Sequence, residues 1–161
     1  MQIRPASNED SQQIQALIAR CFAEYDEQVC LEGAEQDLLD LRAHYDQCQG
    51  AFVVLENDGD IKGTHAVLPM DDRPDVCYFR RLYLDTELRG SGWGDRLMVW
   101  AIDWAREHQM QRVEFWSDVR FKRAHRFFSR HGFQTDGRSR WMDDGAEPYE
   151  ECFFFKDLTN G

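Results

Sequence analysis

No stretch of these 161 residues approaches the about 20 consecutive apolar residues that a membrane span requires. The longest dense runs are Ala51–Leu55 and Cys152–Phe155. Met1–Gln2–Ile3–Arg4–Pro5 lacks the apolar core of a signal peptide, so the chain is expected to be soluble, cytoplasmic and off the membrane. Paired cysteines are missing too. Cys21, Cys30, Cys48, Cys77 and Cys152 are scattered and odd in number, which speaks against a disulfide framework. There is no CxxC or HxxxH pair, and His125 and His131 stand six apart, off a common helix face; no metal is expected. Positive charge is scarce, with a net charge of −11, so nucleic acid is not an expected partner. No repeat, low-complexity tract or linker divides the sequence, and its length suits one domain, residues 1–161.

What is present is unevenly placed. Residues 1–60 carry 3 Lys/Arg against 13 Asp/Glu, residues 78–140 carry 13 against 8, and the last 21 carry 1 against 6. Either this is solvated surface charge, or a basic middle holds a polyanion while acidic flanks favour a cationic partner. Periodicity predicts a strand over Gln2–Ala6, then an amphipathic helix through Ile14, Leu17, Ile18 and Phe22 that follows the capping residues Ser7–Asp10. A second helix is predicted over Ala34–Tyr45. Strands follow at Ala51–Glu56 and Ile61–Leu68, joined by the Asp58–Gly59 turn, and at Val76–Leu84. A largely buried helix runs to about His108, then a strand over Gln111–Ser117, a helix over Arg120–Arg130 stopped by Gly132, and strands over Arg138–Met142 and Glu151–Phe155. The order βααβββαβαββ describes a mixed α/β domain.

The most informative segment joins the third predicted strand to the following helix: Leu82–Tyr83–Leu84–Asp85–Thr86–Glu87–Leu88–Arg89–Gly90–Ser91–Gly92–Trp93–Gly94–Asp95–Arg96–Leu97. Three glycines on alternate positions let bare backbone N–H groups close on phosphate oxygens, and the helix N-terminus adds a positive dipole end. Arg89 brings a formal charge. A dinucleotide fingerprint would need a glycine where Asp95 stands, and a P-loop would need Gly-Lys-Ser/Thr, which is absent. A purely structural glycine turn remains the bland alternative.

The spacing Arg89-x-x-Gly92-x-Gly94 resembles the pyrophosphate loop of the GNAT superfamily, and three further segments resemble that family in the right order. They are Ile3–Arg4–Pro5–Ala6 with Glu9–Asp10, the hairpin Asp60–Ile61–Lys62–Gly63–Thr64, and Ala124–His125–Arg126–Phe127–Phe128–Ser129–Arg130–His131–Gly132–Phe133. Arg81–Leu82–Tyr83–Leu84–Asp85 precedes the loop as the family's fourth strand does. The resemblance covers nearly the whole chain. It implies an α/β fold with a mixed, mostly antiparallel central sheet flanked by helices and splayed between strands 4 and 5.

The implied activity is acetyl-CoA-dependent N-acetylation of a primary amine on a small molecule or protein, with acetyl-CoA as cosubstrate. The implied cofactor contacts are Leu82, Tyr83 and Leu84 through their main chain, then Arg89, Gly90, Ser91, Gly92, Trp93, Gly94 and Asp95, with Arg123 and Phe128 from the later helix. Lys122 and Arg123 either reach phosphates or stand in solvent. The chain departs from the family where it matters for proton transfer. Phe128 occupies the place of a Tyr that protonates the departing thiolate, which leaves His125, Tyr83, water or unaided departure. Tyr78 stands where a Glu is usual, so the base candidates are Tyr78, Asp118 and Glu24. An Asn usual at the start of the last helix is also absent, with Phe121 near its place. Acidic segments Glu24–Glu27 and Glu32–Asp37 lie where relatives build the acceptor wall and favour a cationic acceptor. The rival is a CoA-binding sensor or partner module without catalysis; a homodimer is open under either reading.

Overall fold

The computed structural model describes residues 1–158, so the last three residues of the expected 1–161 domain lie outside the described ones. Strands β1 (Gln2–Pro5), β2 (Ala51–Asn57), β3 (Asp60–Pro69), β4 (Val76–Leu84), β5 (Arg112–Asp118), β6 (Ser139–Met142) and β7 (Tyr149–Asp157) form one sheet in the order β1-β2-β3-β4-β5-β7-β6. All neighbours are antiparallel except β4 and β5. Helix α1 (Ser11–Ala23) and the short α2 (Leu41–His44) lie on one face, and α3 (Trp93–Glu107) and α4 (Lys122–Arg130) on the other. Among the described residues no helix is long and apolar enough to cross a membrane.

Strand alternation builds a core on each face of the sheet. Ile14, Leu17 and Ile18 of α1 pack with Leu38, Phe52, Ala66 and Leu68, whereas Val67, Cys77 and Phe79 point to Met98 and Ala101 of α3 and Phe128 of α4. On the second face Phe115 is the hub, its ring centroid 4.7 Å from Phe128, 5.0 Å from Phe133 and 5.5 Å from Phe154. Position 63 of β3 takes glycine because a Cβ there would crowd Leu55, Leu84 and Leu97 at 3.2 Å.

The helix expected over Ala34–Tyr45 is broken. A 3₁₀ turn at Gln36–Leu39 ends at Asp40, which is extended (φ −150°, ψ 86°), and only then does α2 begin. Two side chains fix the break. Asp40 accepts from the Ala43 N–H (3.1 Å), and Asn8, far back in sequence, accepts from the Leu41 N–H (2.7 Å). These polar side chains offer the backbone an alternative to the continuous helical ladder.

Candidate active site

Strands β4 and β5 pair only at Val76–Arg112, Cys77–Val113 and Tyr78–Glu114, and then part. The β5-facing backbone groups of Phe79–Leu84 therefore have no strand partner, and main-chain polar groups in such a place must find another acceptor or donor. Where the strands separate, a cavity of about 760 Å³ opens. Tyr78 through Tyr83 of β4 form one wall and Glu114 through Asp118 of β5 the other, with Ala124 and Phe128 contributed by α4.

A bulge in β4 shapes this opening. From Thr64 to Ala66 the β3 partners step from Tyr83 to Arg80, two residues against three. Arg81 absorbs the extra residue in the left-handed region, φ 62°, which a side chain as large as arginine adopts at a cost of about 1 kcal/mol. Its carbonyl accepts from Thr64 Oγ1 at 2.7 Å. Because of the bulge, Arg80 and Arg81 both turn toward Asp37 instead of alternating. Arg81 donates to Asp37 at 2.6 and 3.1 Å and to the Ala34 carbonyl at 2.7 Å, and Tyr45 Oη donates to Asp37 at 2.5 Å. Burial alone would raise the Asp37 carboxyl, but the charge and hydrogen bonds of Arg81 outweigh it and hold it below its ordinary value. A strained residue of β4 thereby ties down the Ala34–Asp37 segment beside the cavity.

The glycine turn follows β4. Gly90 (φ 78°) and Gly92 (φ 90°) take left-handed conformations, and a Cβ at either would meet nothing within 4 Å. Conformation, not crowding, requires glycine at these two positions, and the space above them is open. Gly92 caps α3, and Arg96 is the residue whose N–H returns to the Gly92 carbonyl (3.2 Å). The amides of Gly94 and Asp95 thus lack intrahelical partners and can bond an incoming oxygen. Gly94 sits close to Leu84 and the Phe127 ring, which seats the start of α3 between the end of β4 and α4. These features fit the diphosphate of coenzyme A.

Other expected residues fall into distinct places. Arg89 is exposed and pairs with Glu24 at 2.9 Å, so a phosphate candidate and a base candidate engage each other. Ser91 Oγ donates to the Leu88 carbonyl, Arg96 stacks over Trp93 at 4.4 Å, and Asp95 bonds His131 Nε2 at 2.8 Å. Lys122 and Arg123 are exposed and form no ion pair among the described residues. Leu82 packs into the α3 core and Tyr83 against Phe22, both on the cavity wall. Burial pushes the Tyr83 phenol up to about 12 and also raises Tyr78, so at neutral pH both are protonated donors, not bases.

Helix α4 presents Ala124 and Phe128 to the cavity and turns His125 away from it. His125 Nε2 lies 3.2 Å from the hydroxyl of Ser117, which does line the cavity, and burial lowers the imidazole's pKa. Asp118 is fully engaged by the backbone N–H of Arg120 (2.9 Å) and by its guanidinium (2.6 and 2.9 Å). Among the described residues no cluster of three His, Cys, Asp or Glu side chains could hold a metal.

Two wall residues carried no individual signal in the sequence. His65 is 1% exposed, and burial lowers it to about 4, so it is neutral, with Nδ1 bonded to the Leu97 carbonyl at 3.0 Å. Glu35 is 3% exposed, and only the Cys30 N–H at 3.3 Å bonds its carboxylate among the described residues. The acidic run Glu32–Asp37 pointed to this segment, but the Arg81 side chain of β4, 44 residues on from Asp37, holds it in place.

Residues 12–133 match the sequence model of the Acetyltransferase (GNAT) family. The aminoalkylphosphonate N-acetyltransferase of Salmonella typhimurium is 27% identical over 137 residues, 83% of this chain and 84% of that protein. An acetyltransferase structure from Streptococcus agalactiae superposes with a TM-score of 0.83 at 21% identity, covering 98% of each chain. The yncA structure from Salmonella typhimurium, solved with acetyl-CoA, gives 0.75 at 16% identity over 100% of this chain and 95% of its own.

Proposed function

Because this chain belongs to the acetyltransferase (GNAT) family and is an acyl-CoA-dependent N-acetyltransferase, we propose that it moves the acetyl group of acetyl-CoA directly to a primary amine of a cationic acceptor. The observation that carries this reading is the parting of β4 from β5 beyond Tyr78, directly before the left-handed glycine turn. The amides of Gly94 and Asp95 hold the diphosphate at the helix N-terminus. The β5-facing main chain of Leu82–Leu84, which has no strand partner on that side, bonds the pantetheine amides and positions the thioester. The amine nitrogen attacks the carbonyl carbon, the C–N bond forms, the C–S bond breaks, and the thiol of CoA is released. Holding both reactants in line is worth on the order of 7–11 kcal/mol against reaction in solution.

Phe128 has no proton to give. Protonated Tyr83 on the wall, or His125 acting through Ser117, is the donor for the departing sulfur. Tyr78, kept protonated by burial, orients the acceptor as a hydrogen-bond donor. A single seven-stranded sheet running through the chain supports one catalytic domain.

The Salmonella relative's name makes aminoalkylphosphonates one class in the acceptor panel, beside diamines and amino acids. Titration calorimetry with acetyl-CoA, followed by thiol release with that panel, tests the reading. Saturable binding and amine-dependent thiol are expected; no binding at millimolar acetyl-CoA overturns it.

A further inference from the structure

The carboxylates around the cavity differ sharply in how they are occupied. Glu114 is held by Arg73 and by Arg112 (2.8 Å), Glu151 by Arg140 (2.8 Å), and Glu27 and Asp118 share Arg120. Asp144 accepts from Tyr149 Oη at 2.7 Å. Asp71 and Asp72 are exposed to solvent. Glu35 is different. It lines the cavity and is buried, yet no cation lies within ion-pair distance among the described residues, and only the Cys30 amide bonds it.

Its position is also fixed from both ends. One residue before it, Ala34 N–H donates to the Asp144 carbonyl (2.8 Å), and the Ala34 carbonyl accepts from Arg81 (2.7 Å). Two residues after it, Asp37 is gripped by Arg81 and Tyr45. Gly33 lies so close to the Asp144 carbonyl that a Cβ there would stand 2.0 Å from the oxygen. A buried carboxylate with spare acceptor capacity, clamped on either side and facing a cavity, is built to meet a cationic hydrogen-bond donor that the protein itself does not supply.

We propose that Glu35 is the general base of the acyl transfer and takes the proton from the acceptor's ammonium group inside the cavity; this rests on the reading of the site as an amine N-acetyltransferase. The carboxylate accepts one proton from R–NH₃⁺, which frees the lone pair that forms the C–N bond. As the C–S bond breaks, the proton donor named above protonates the sulfur and the nitrogen's second proton restores that donor, giving the amide and the thiol. Glu35 then returns its proton to solvent.

The surroundings suit that task. Burial raises the Glu35 carboxyl above its ordinary value; Arg81 and the Cys30 amide pull it back, and Asp37 and Asp144 push it further up. Tyr83 of β4 and Tyr149 of β7 also face it, and both stay protonated. The group is thus a stronger base than an exposed glutamate, and a base works best as its pKa approaches the working pH.

Glu35→Gln tests the role, because it preserves volume and an acceptor for the Cys30 amide. The probes are butylamine, an alkylammonium of about 10.4 comparable to a lysine side chain, and trifluoroethylamine, whose electron-withdrawing fluorines leave it neutral at pH 7. With butylamine at pH 7 the variant should lose about 100-fold or more in kcat/KM, as expected for removal of a general base. That loss should shrink as the pH approaches the amine's own pKa. With trifluoroethylamine the variant should stay close to the native protein, and acetyl-CoA affinity should not change. Equal losses for both amines at every pH would reveal a structural role and overturn the proposal, as would no loss at all. Native protein that binds acetyl-CoA yet releases no thiol with these two amines or with any amine of the acceptor panel refutes both the base and the turnover reading. Failure to bind acetyl-CoA refutes the function proposed above. Should Glu35→Gln fold poorly, Glu35→Asp, which keeps a carboxylate, must retain the butylamine pH profile that Glu35→Ala loses.

Discussion

Replacing Asp37 with Asn removes one charge from the buried knot that joins β4 to the segment before α2, and leaves the shape almost intact. The Arg81 side chain is 7% exposed and that of Asp37 is 4% exposed, with the closest contact at 2.6 Å. Removing one partner of a buried, hydrogen-bonded pair costs about 3–5 kcal/mol, because the other charge stays out of water. Arg81 keeps its bond to the Ala34 carbonyl, which places Asp37→Asn near the lower end, about 3 kcal/mol. At about 2–4 °C per kcal/mol for a chain of this size, the melting temperature should drop by about 6–12 °C. Urea unfolding followed by tryptophan fluorescence measures the free energy, and calorimetry the midpoint. The acid side has a fixed sign. The folded Asp37 carboxyl lies below its unfolded value, so its stabilisation is complete above the unfolded pKa and is lost as pH falls through the folded one. The native protein should therefore lose its advantage over the variant as pH drops below about 4. A difference under about 1 kcal/mol at neutral pH, typical of a surface pair, would refute the claim that this knot holds the loop.

Gly92→Glu forces a side chain into φ 90° and sets a carboxylate where phosphate is expected, so acetyl-CoA should no longer raise the melting temperature; an unchanged shift would move the diphosphate elsewhere. His65 is depressed to about 4 in the folded chain, so its stabilisation is full above about 6.5 and lost toward pH 4, amounting to roughly 3 kcal/mol. His65→Leu should flatten stability across that window, and an identical pH slope in both proteins would refute the assignment. Tyr78→Phe should raise the acceptor's KM and leave kcat within about tenfold, as for a group that binds ground and transition state alike; a collapse of kcat with KM intact would make the phenol part of the chemistry.

The glycine turn was legible because its signal is local: alternate glycines permit positive φ regardless of what surrounds them, and Gly90 and Gly92 adopt it. The Asp58–Gly59 hairpin and the apolar stripe of α1 were legible for the same reason, since turn chemistry and 3.6-residue spacing involve near neighbours. The Ala34–Tyr45 segment was not. Its apolar spacing suits a helix, but Asn8 and Asp40 capture the backbone amides that a helix would use. Site residues divide similarly. Leu82, Tyr83, Phe128 and Tyr78 line the cavity, whereas Glu24 and Asp118, two of the base candidates, are engaged by arginines.

By itself, then, the sequence determined the order of elements, the left-handed glycine turn and the resemblance to an acyltransferase family, all carried by residues within a turn or two of one another. Tertiary structure alone decided which carboxylate stays buried without a cation among the described residues and which arginine of β4 holds the segment that carries it, because the Arg81–Asp37 pair spans 44 residues of chain. Burial sets the charge state of Glu35, His65 and Tyr83, and burial is a property of the packed chain that no short stretch of sequence contains.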